Sequence, residues 1–169
     1  MSRVILITGI SASGKSTVAQ ALAERLPRSA HVRGDAFRRM VVNGRAEMTP
    51  ELAEEALGQL RLRYAIAAGV ADRYAEAGFT AVVQDVVLGK ELEYFVSLVR
   101  SPLEVVVLAP SAEVVELRER ERPKTGYGEW TVAQLDHSLR TETPRIGHWI
   151  DSSSLTVEQT VDLILARIG

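Results

Sequence analysis

Apolar residues follow two alternating patterns along this chain: short continuous runs, and longer stretches in which they recur every three or four positions. Short runs rich in valine, isoleucine and leucine are typical of parallel strands buried on both faces, whereas the wider spacing is typical of helices that bury one face. The runs predict strands over residues 4–8, 31–33, 80–84, 104–108 and 147–150. The periodic stretches predict helices over residues 15–26, 36–43, 50–77, 91–99, 112–121, 131–140 and 157–168.

The longest periodic stretch, residues 50–77, predicts a single helix with one apolar face. Its apolar stripe consists of Leu57, Leu60, Tyr64, Ala67, Ala71 and Tyr74. Helices that alternate with strands predict an α/β fold, a three-layer sandwich in which helices cover both faces of a five-stranded parallel sheet. Because no linker, repeat or low-complexity tract interrupts the pattern, residues 1–169 are expected to form one domain.

The composition is that of an ordinary globular protein, and it excludes several kinds of site. Of the 169 residues, 46% are hydrophobic and 25% are charged, and the formal net charge is −2. Nucleic acids and anionic membranes bind to strongly basic protein surfaces. A nearly neutral net charge gives no sign of such a surface, so neither is an expected partner. The absence of cysteine excludes disulfides, thiolate chemistry and cysteine-ligated zinc. Without a signal-peptide pattern or an apolar run of about 20 residues, the protein is expected to be cytoplasmic.

The predicted strand at residues 4–8 leads directly into GISASGKST, residues 9–17, and a predicted helix follows. This is the phosphate-binding loop (P-loop) pattern GxxxxGK[ST] in its required position between a strand and a helix. Its glycines let the backbone approach a phosphate, its N–H groups form an anion nest, and the helix adds the positive end of its dipole. The lysine is expected to reach the β- and γ-phosphates in catalysis, and the serine hydroxyl after it to ligate Mg²⁺. The predicted ATP-binding residues are Gly9, Ser11, Ala12, Ser13, Gly14, Lys15, Ser16 and Thr17.

Two absences narrow the kind of P-loop protein. The chain contains neither the NKxD sequence that reads guanine nor the DxxG switch sequence, and 169 residues leave no room for the extra subdomains of large ATPases. Small kinases remain, and these need an acceptor site and cationic side chains that close over the transferred phosphate. The sequence therefore predicts transfer of the ATP γ-phosphate to a hydroxyl of a small molecule.

Two carboxylates follow predicted strands, at the edge of the sheet where open α/β folds bind ligands. Asp35 comes shortly after the strand at residues 31–33, where it either activates or orients the attacking hydroxyl or only caps the next helix. Asp85 directly follows the strand at residues 80–84 and is expected to hold Mg²⁺, to bind the acceptor or to cap the next turn. Arg38, about one turn after Asp35, is either an acceptor ligand or part of a solvated helix face.

A cationic segment, residues 118–130, is predicted to form a lid. Arg118 and Arg122 stand four residues apart, a spacing that places both on one face of a helix. Such a lid brings cations onto the transferred phosphoryl group and excludes water, so both arginines are candidate catalytic residues and Arg118 is a candidate ATP ligand. Because acidic residues alternate with the arginines, an ordinary charged helix end is the alternative.

These features together resemble the small kinases related to nucleoside monophosphate kinases, and among them most closely the chloramphenicol phosphotransferase family. The resemblance rests on ITGISASGKS (residues 7–16), Gly34-Asp35, VQDVVLG (residues 83–89) and the arginine-bearing lid. It implies a five-stranded parallel sheet with helices on both faces, the use of ATP and Mg²⁺, a role in antibiotic resistance, and activation of the acceptor hydroxyl by Asp35. That family commonly has two adjacent acidic residues where this chain has Gln84-Asp85, and residues 36–63 carry no pattern of a chloramphenicol pocket.

The acceptor and the wider role stay open at the level of the sequence. The leading hypothesis is a kinase whose partner is a hydroxylated small molecule, either an antibiotic or a metabolite. A second hypothesis assigns the same chemistry to a nucleotide or to the 5′-hydroxyl of a nucleic acid, and a third makes the chain an ATP-binding regulatory protein. The third predicts a large exposed apolar patch and no acceptor pocket beside Asp35. A homo-oligomer is compatible with all three.

Overall fold

A computed structural model of the chain describes residues 2–51, 53–122, 128 and 130–169. Within them, five strands form one sheet in which every pairing is parallel. The strands are β1 (Val4–Thr8), β2 (Ser29–Arg33), β3 (Thr80–Gln84), β4 (Leu103–Leu108) and β5 (His148–Ile150), in the spatial order β2-β3-β1-β4-β5. The helices are α1 (Lys15–Arg25), α2 (Gly34–Arg39), α3 (Glu54–Glu76), α4 (Glu91–Leu98), α5 (Ala112–Glu121), α6 (Val132–His137) and α7 (Val157–Ile168). A π-helical segment, Ser138–Glu142, follows α6.

The core consists of two layers of side chains, one on each face of the sheet. Along β1, Val4 and Leu6 pack in the layer that includes α3 and α4, whereas Ile5 and Ile7 pack in the layer that includes α1 and α7. All four side chains are fully buried. Successive residues of a strand point to opposite faces, so a continuous apolar run is what a strand covered on both sides requires. The predicted three-layer α/β fold is confirmed.

Helix α3 is shorter at its start than the predicted helix, and its buried stripe differs at the end. Tyr64, Ala67 and Ala71 are fully buried as expected. The next buried position is Ala75, four residues after Ala71, whereas Tyr74 is 43% exposed and packs edge-on against Phe79. Among the described helices, none has the length and apolar content that crossing a membrane requires.

Helix α2 ends at Arg39, four residues before the predicted end. The N–H of the next residue, Met40, donates to the carbonyl oxygen of Phe37 at 3.3 Å, a bond that closes the last turn before the chain leaves the helix. Gly44 then turns the chain with a φ of +84°. The side chain of Gln59 on α3 fixes this loop, because its amide donates to the carbonyl oxygen of Gly44 and its carbonyl accepts from the N–H of Ala46, both at 2.8 Å. The loop thereby becomes a wall of the cleft described next.

Candidate active site

A cleft of about 1460 Å³ opens at the carboxyl ends of the strands, where the loops after β1, β2 and β3 meet. In open parallel sheets the loops diverge at this edge, and ligands bind between them. The cleft is lined by Asp35, Arg38, Asp85, Arg118, Arg122 and residues 11–17 of the P-loop. Of the predicted site residues, Gly9 alone is not part of this lining. The fold therefore brings together side chains that are far apart in the sequence.

The backbone of the P-loop depends on its two glycines. Gly9 has a φ of +152°, and a Cβ there would lie 2.6 Å from the carbonyl oxygen of Leu108 on β4. Gly14 has a φ of +94° and immediately precedes α1, which has no side-chain cap. Between the glycines, the N–H of Ser13 donates to the carbonyl oxygen of Ile10 at 3.2 Å. The first N–H groups of α1 thus face the cleft, where they can bind an anion.

Lys15, the first residue of α1, is buried against the loop that it follows. Its Nζ donates to the carbonyl oxygen of Ile10 at 2.9 Å, and the residue is 9% exposed. Burial lowers the pKa of Lys15 to about 8; the charge of Asp85 opposes this shift, and the charges of Arg122 and Arg63 add to it. The ammonium group is therefore less stable here than in water, and a phosphate would restore its favourable environment.

This shifted pKa predicts that nucleotide affinity depends on pH. Phosphate oxygens favour protonated Lys15, so the affinity should be constant well below pH 8. Above pH 8 it should weaken by up to about tenfold per pH unit, because binding then requires proton uptake. Isothermal titration of ADP between pH 6.5 and 9.5 measures this. In Lys15→Arg the guanidinium stays protonated, so the affinity should not fall in this way; an equal fall in that variant would contradict the assignment.

The two arginines of the predicted lid lie close to the P-loop. Arg118 Nη1 donates to the carbonyl oxygen of Ser13 at 3.3 Å, so its guanidinium rests on the loop itself. Arg122 follows the last residue of α5 instead of lying on the helix, and its Nη1 contacts Glu119 Oε2 at 3.2 Å. The prediction of a lid over residues 118–130 falls in part on residues 123–127 and 129, which lie outside the described residues.

The group predicted to ligate magnesium is exposed in the first turn of α1. The Ser16 hydroxyl accepts a hydrogen bond from Arg33 Nη1 at 3.1 Å. No cluster of three or more acidic or histidine side chains suited to a metal ion occurs in the described part of the chain. P-loop proteins hold Mg²⁺ through this hydroxyl, a carboxylate at a strand end and the phosphate oxygens, so Ser16 fits one ligand position of a magnesium ion that arrives with a nucleotide.

Asp35 lies in the first turn of α2 and is held by two arginines of the same helix. Its Oδ1 accepts from Arg38 Nε and its Oδ2 lies close to Arg39 Nε, both at 2.7 Å. Arg38 also donates to Glu47 in the loop that follows α2. Partial burial raises the pKa of Asp35, but the hydrogen bond from Arg38 and the charges of Arg38, Arg39 and Arg63 outweigh it, so the pKa lies below its usual value. Asp35 is therefore a carboxylate at neutral pH.

Asp85 does not face the cleft as a free carboxylate, which the sequence prediction assumed. Arg63 on α3 donates to both of its oxygens, Nε to Oδ2 at 2.9 Å and Nη2 to Oδ1 at 2.7 Å, and Val86 N–H also donates to Oδ1. Burial raises the pKa of Asp85, while the charge and hydrogen bonds of Arg63 act against that rise. A Cβ on Gly34 would meet the Asp85 carboxylate, so only glycine fits there. The prediction that Asp85 binds Mg²⁺ or the acceptor stays a prediction; Oδ1 accepts two hydrogen bonds and Oδ2 one, so Arg63 and Val86 take up most of the acceptor capacity of this carboxylate.

Arg63 was missed by the sequence reasoning, although the chain carries a signal for it. It stands three residues after Leu60 and four before Ala67, so the helical period places it next to the buried stripe of α3. An arginine at such a position requires a carboxylate partner, because an unpaired charge is costly to bury. The identity of that partner depends on the packing of α3 against β3.

Breaking this pair should destabilise the protein strongly. Arg63→Met leaves the Asp85 carboxylate buried without its cation, and we expect a loss of about 3–5 kcal/mol in the free energy of unfolding. Because the folded-state pKa of Asp85 is already raised and would rise further, the loss should grow as the pH rises from 5 to 8. Urea unfolding at both pH values measures it.

Arg61→Met is the matched control for this prediction. Arg61 lies one half-turn earlier on α3 and also pairs with a carboxylate, that of Glu91, but its side chain is 40% exposed against 14% for Arg63. A smaller loss is expected, because Arg61 is the more exposed cation and Glu91, whose side chain is 12% exposed, keeps more contact with water than Asp85 at 4%. Equal losses in the two variants would mean that burial does not distinguish the pairs.

The remaining walls of the cleft are formed by Trp130 at one end and by the loop after β5 and helix α7 at the other. Trp130 lines the cleft beside α6, and its indole N–H donates to the carbonyl oxygen of Met48 at 3.1 Å, joining this wall to the loop after α2. At the opposite end, beyond the P-loop, the loop after β5 contributes Ser152 and α7 contributes Thr160. The Ser152 hydroxyl is buried and has no hydrogen-bond partner among the described residues. None of the three histidines lines the cleft.

Comparison with known proteins places the chain in a family. A family model described as an AAA domain matches residues 4–144. A protein of Aeropyrum pernix described as a UPF0200 protein is 32% identical over 142 residues, which span 82% of this chain and 75% of that protein. The matched residues include the P-loop, Asp35, the Arg63–Asp85 pair and the arginines after β4.

Two solved structures show how closely the fold is shared. A sugar kinase from a Janibacter species superposes with a TM-score of 0.73 at 20% identity, covering 99% of this chain and 95% of that chain. The APS kinase of Mycobacterium tuberculosis, in complex with AMPPNP and APS, gives a TM-score of 0.74 at 17% identity, covering 99% and 97%. At these identities the likeness is one of fold, and the fold is that of P-loop kinases.

Proposed function

This chain belongs to the AAA domain family, and on that premise we propose that it is a phosphotransferase that moves the γ-phosphate of ATP to a hydroxyl of a small molecule. The observation that carries the proposal is the continuity of the cleft. One cavity joins Lys15 in the P-loop, and Arg118 that contacts this loop from α5, to Asp35 and to the space between α2, α3 and Trp130. A protein that only binds ATP as a regulatory signal has no need of that second space.

The P-loop residues have the roles of a phosphate site. The N–H groups at the start of α1 and the Lys15 ammonium would hold the β- and γ-phosphates, and Arg118, already on the loop, would stabilise negative charge on the transferred group. The Ser16 hydroxyl would hold Mg²⁺, which neutralises phosphate charge when bound. Arg122, which also lines the cleft, would add a second cation beside the phosphates.

Asp35 is proposed to orient the acceptor hydroxyl. Phosphoryl transfer passes through a loose transition state in which the attacking oxygen has formed little bond, so a weakly basic carboxylate is sufficient if it fixes the hydroxyl in line. The low pKa of Asp35 suits this role better than that of a strong base. Arg38 and Arg39 would hold the carboxylate in position.

Asp85 is proposed to act through Arg63 and not as a direct metal ligand. The pair stands between the P-loop and α3, and both partners line the cleft. The charge of Asp85 favours protonated Lys15 by raising its pKa, whereas the charge of Arg63 lowers that pKa. Because the pair is buried and bidentate, it fixes the distance between α3, which forms part of the acceptor wall, and the end of β3, which lies beside β1 and the P-loop.

ADP release from MgATP against a panel of hydroxylated compounds tests the proposal. The panel should include sugars and polyols, and also hydroxylated antibiotics, which the resemblance to chloramphenicol phosphotransferases suggests. We expect one class of compound to stimulate release, with Lys15→Ala as the blank. Tight ATP binding without stimulation by any compound would overturn the proposal in favour of a regulatory role.

A further inference from the structure

We infer that the acceptor carries no phosphate, sulfate or carboxylate group, an inference that rests on the proposed function. The acceptor side of the cleft is defined here as the part formed by α2 and the loop after it, α3, residues 85–91, Trp130, α6 and the π-helical segment. An anionic acceptor would need a cation there that is available to bind it. The three arginines that line this side are already held by carboxylates.

Two of these arginines share one carboxylate. Arg38 and Arg39 engage different oxygens of Asp35, and Arg38 also donates to Glu47. An acceptor anion that drew either guanidinium away would compete with Asp35, the group proposed to orient the hydroxyl. Binding the anion in this way would disturb the carboxylate that the reaction needs, and Arg39, whose side chain is 71% exposed, would hold an anion only weakly because water screens its charge.

The third arginine is paired still more tightly. Arg63 donates two hydrogen bonds to Asp85, whose side chain is only 4% exposed. If Arg63 turned to an incoming anion, Asp85 would be left buried without a cation, which is strongly unfavourable. Arg63 is therefore part of the frame of the acceptor side and is not available to the acceptor.

The remaining charges do not create an anion site. Glu91 also lines the cleft and is held by Arg61. Lys90 and Glu142 line it without an ion pair to any described residue, and they lie on segments joined by a hydrogen bond from Gly89 N to Thr143 Oγ1. Lys90 is the one cation of this described lining without an ion pair, but the lining carries five carboxylates (Asp35, Glu47, Asp85, Glu91 and Glu142) against four cations (Arg38, Arg39, Arg63 and Lys90), so its summed charge does not favour a further anion.

The rest of this side suits an uncharged molecule with an apolar body. Large apolar side chains cover it, and neutral hydrogen-bonding groups on α6 and the π-helical segment stand among them. The apolar groups include Phe37, Met48, Leu60, Leu88, Trp130 and Leu135, and the neutral polar groups on α6 and the π-helical segment are Gln134 and Ser138. Pockets that combine apolar walls with a few polar groups select neutral organic ligands. The acceptor class is therefore an uncharged alcohol, with nucleotides and sugar acids excluded.

Matched pairs of acceptors that differ by one charge test this inference. The pairs are D-glucitol with D-gluconate, uridine with uridine 5′-monophosphate, and 4-(hydroxymethyl)benzamide with 4-(hydroxymethyl)benzoate. Acceptor-dependent ADP release at saturating MgATP gives kcat/KM for each. In the pairs that react, we expect the uncharged member to be favoured by at least about tenfold. An anionic member that reacts as well or better would overturn the inference and leave the kinase proposal intact, whereas no stimulation by any compound would overturn both.

Glu47→Gln provides a second readout on the same pairs. It removes one of the two carboxylates that hold Arg38, so the preference for the uncharged member should narrow by about threefold or more. Glu54→Gln, an exposed carboxylate at the start of α3 outside the cleft lining, is the matched control and should leave the ratio unchanged. An unchanged ratio in Glu47→Gln would show that the ion pairs of this side do not set the charge preference.

Discussion

Replacing Asp35 by asparagine is expected to lower kcat for phosphoryl transfer by about 10²-fold, the effect of losing the orientation of the attacking hydroxyl. The amide keeps the size of the side chain but loses the charge that attracts Arg38 and Arg39 and the second acceptor oxygen that can orient a hydroxyl. Because Asp35 makes no contact with the P-loop, ATP affinity should change by less than about twofold. Steady-state kinetics and isothermal titration of ATP measure the two quantities separately.

Asp136→Asn is the matched control for this variant. Asp136 also pairs with an arginine four residues later on a helix, Arg140, but neither residue lines the cleft. This variant should keep nearly full activity. If Asp35→Asn retained normal turnover, Asp35 would be removed from the mechanism, and its role would be limited to fixing Arg38 and Arg39 at the start of the acceptor wall.

Replacing Lys15 by alanine is expected to reduce kcat/KM for MgATP by about 10³-fold or more. The ammonium group lies inside the P-loop, where burial makes its charge more effective towards a phosphate than the same charge in water. The substitution also removes the donor to the carbonyl oxygen of Ile10, so thermal unfolding should be recorded beside the kinetics. A folded variant with less than about tenfold loss would contradict the phosphate-binding role.

Lys15→Arg separates charge from shape at this position. The variant retains a cation but cannot place it as a compact ammonium group within the loop. We expect it to bind nucleotide better than Lys15→Ala and to transfer phosphate far less well than the native protein. Equal nucleotide affinity in the two variants would mean that the positive charge itself contributes little.

The fold and the phosphate site follow closely from the sequence because they depend on local patterns. The continuous apolar run at β1 identifies a strand buried on both faces, and the loop after it needs glycines where the backbone turns and approaches β4. Both requirements act on residues that are neighbours in the chain. The spacing alone therefore predicts the strand, the loop and the helix α1 in order.

The ends of several elements did not follow from the pattern. Helix α2 stops at Arg39, Gly44 then turns the chain, and α3 begins only at Glu54. The resulting loop is fixed by Gln59, which lies on α3 itself. A periodic pattern records which residues could be helical, whereas the contacts of a loop with a later helix decide where the helix ends.

The sequence by itself determined the α/β fold, the P-loop with Lys15, and the positions of Asp35 and Asp85 at strand ends. Only the tertiary structure decided what surrounds these groups. It paired Asp85 with Arg63 across α3 and β3, placed Gly34 where no side chain would fit, and neutralised the arginines of the acceptor side. The physical reason is that backbone conformation and burial patterns are encoded over a few neighbouring residues. Charge pairing and pocket shape instead depend on residues that meet only when the helices pack on the sheet.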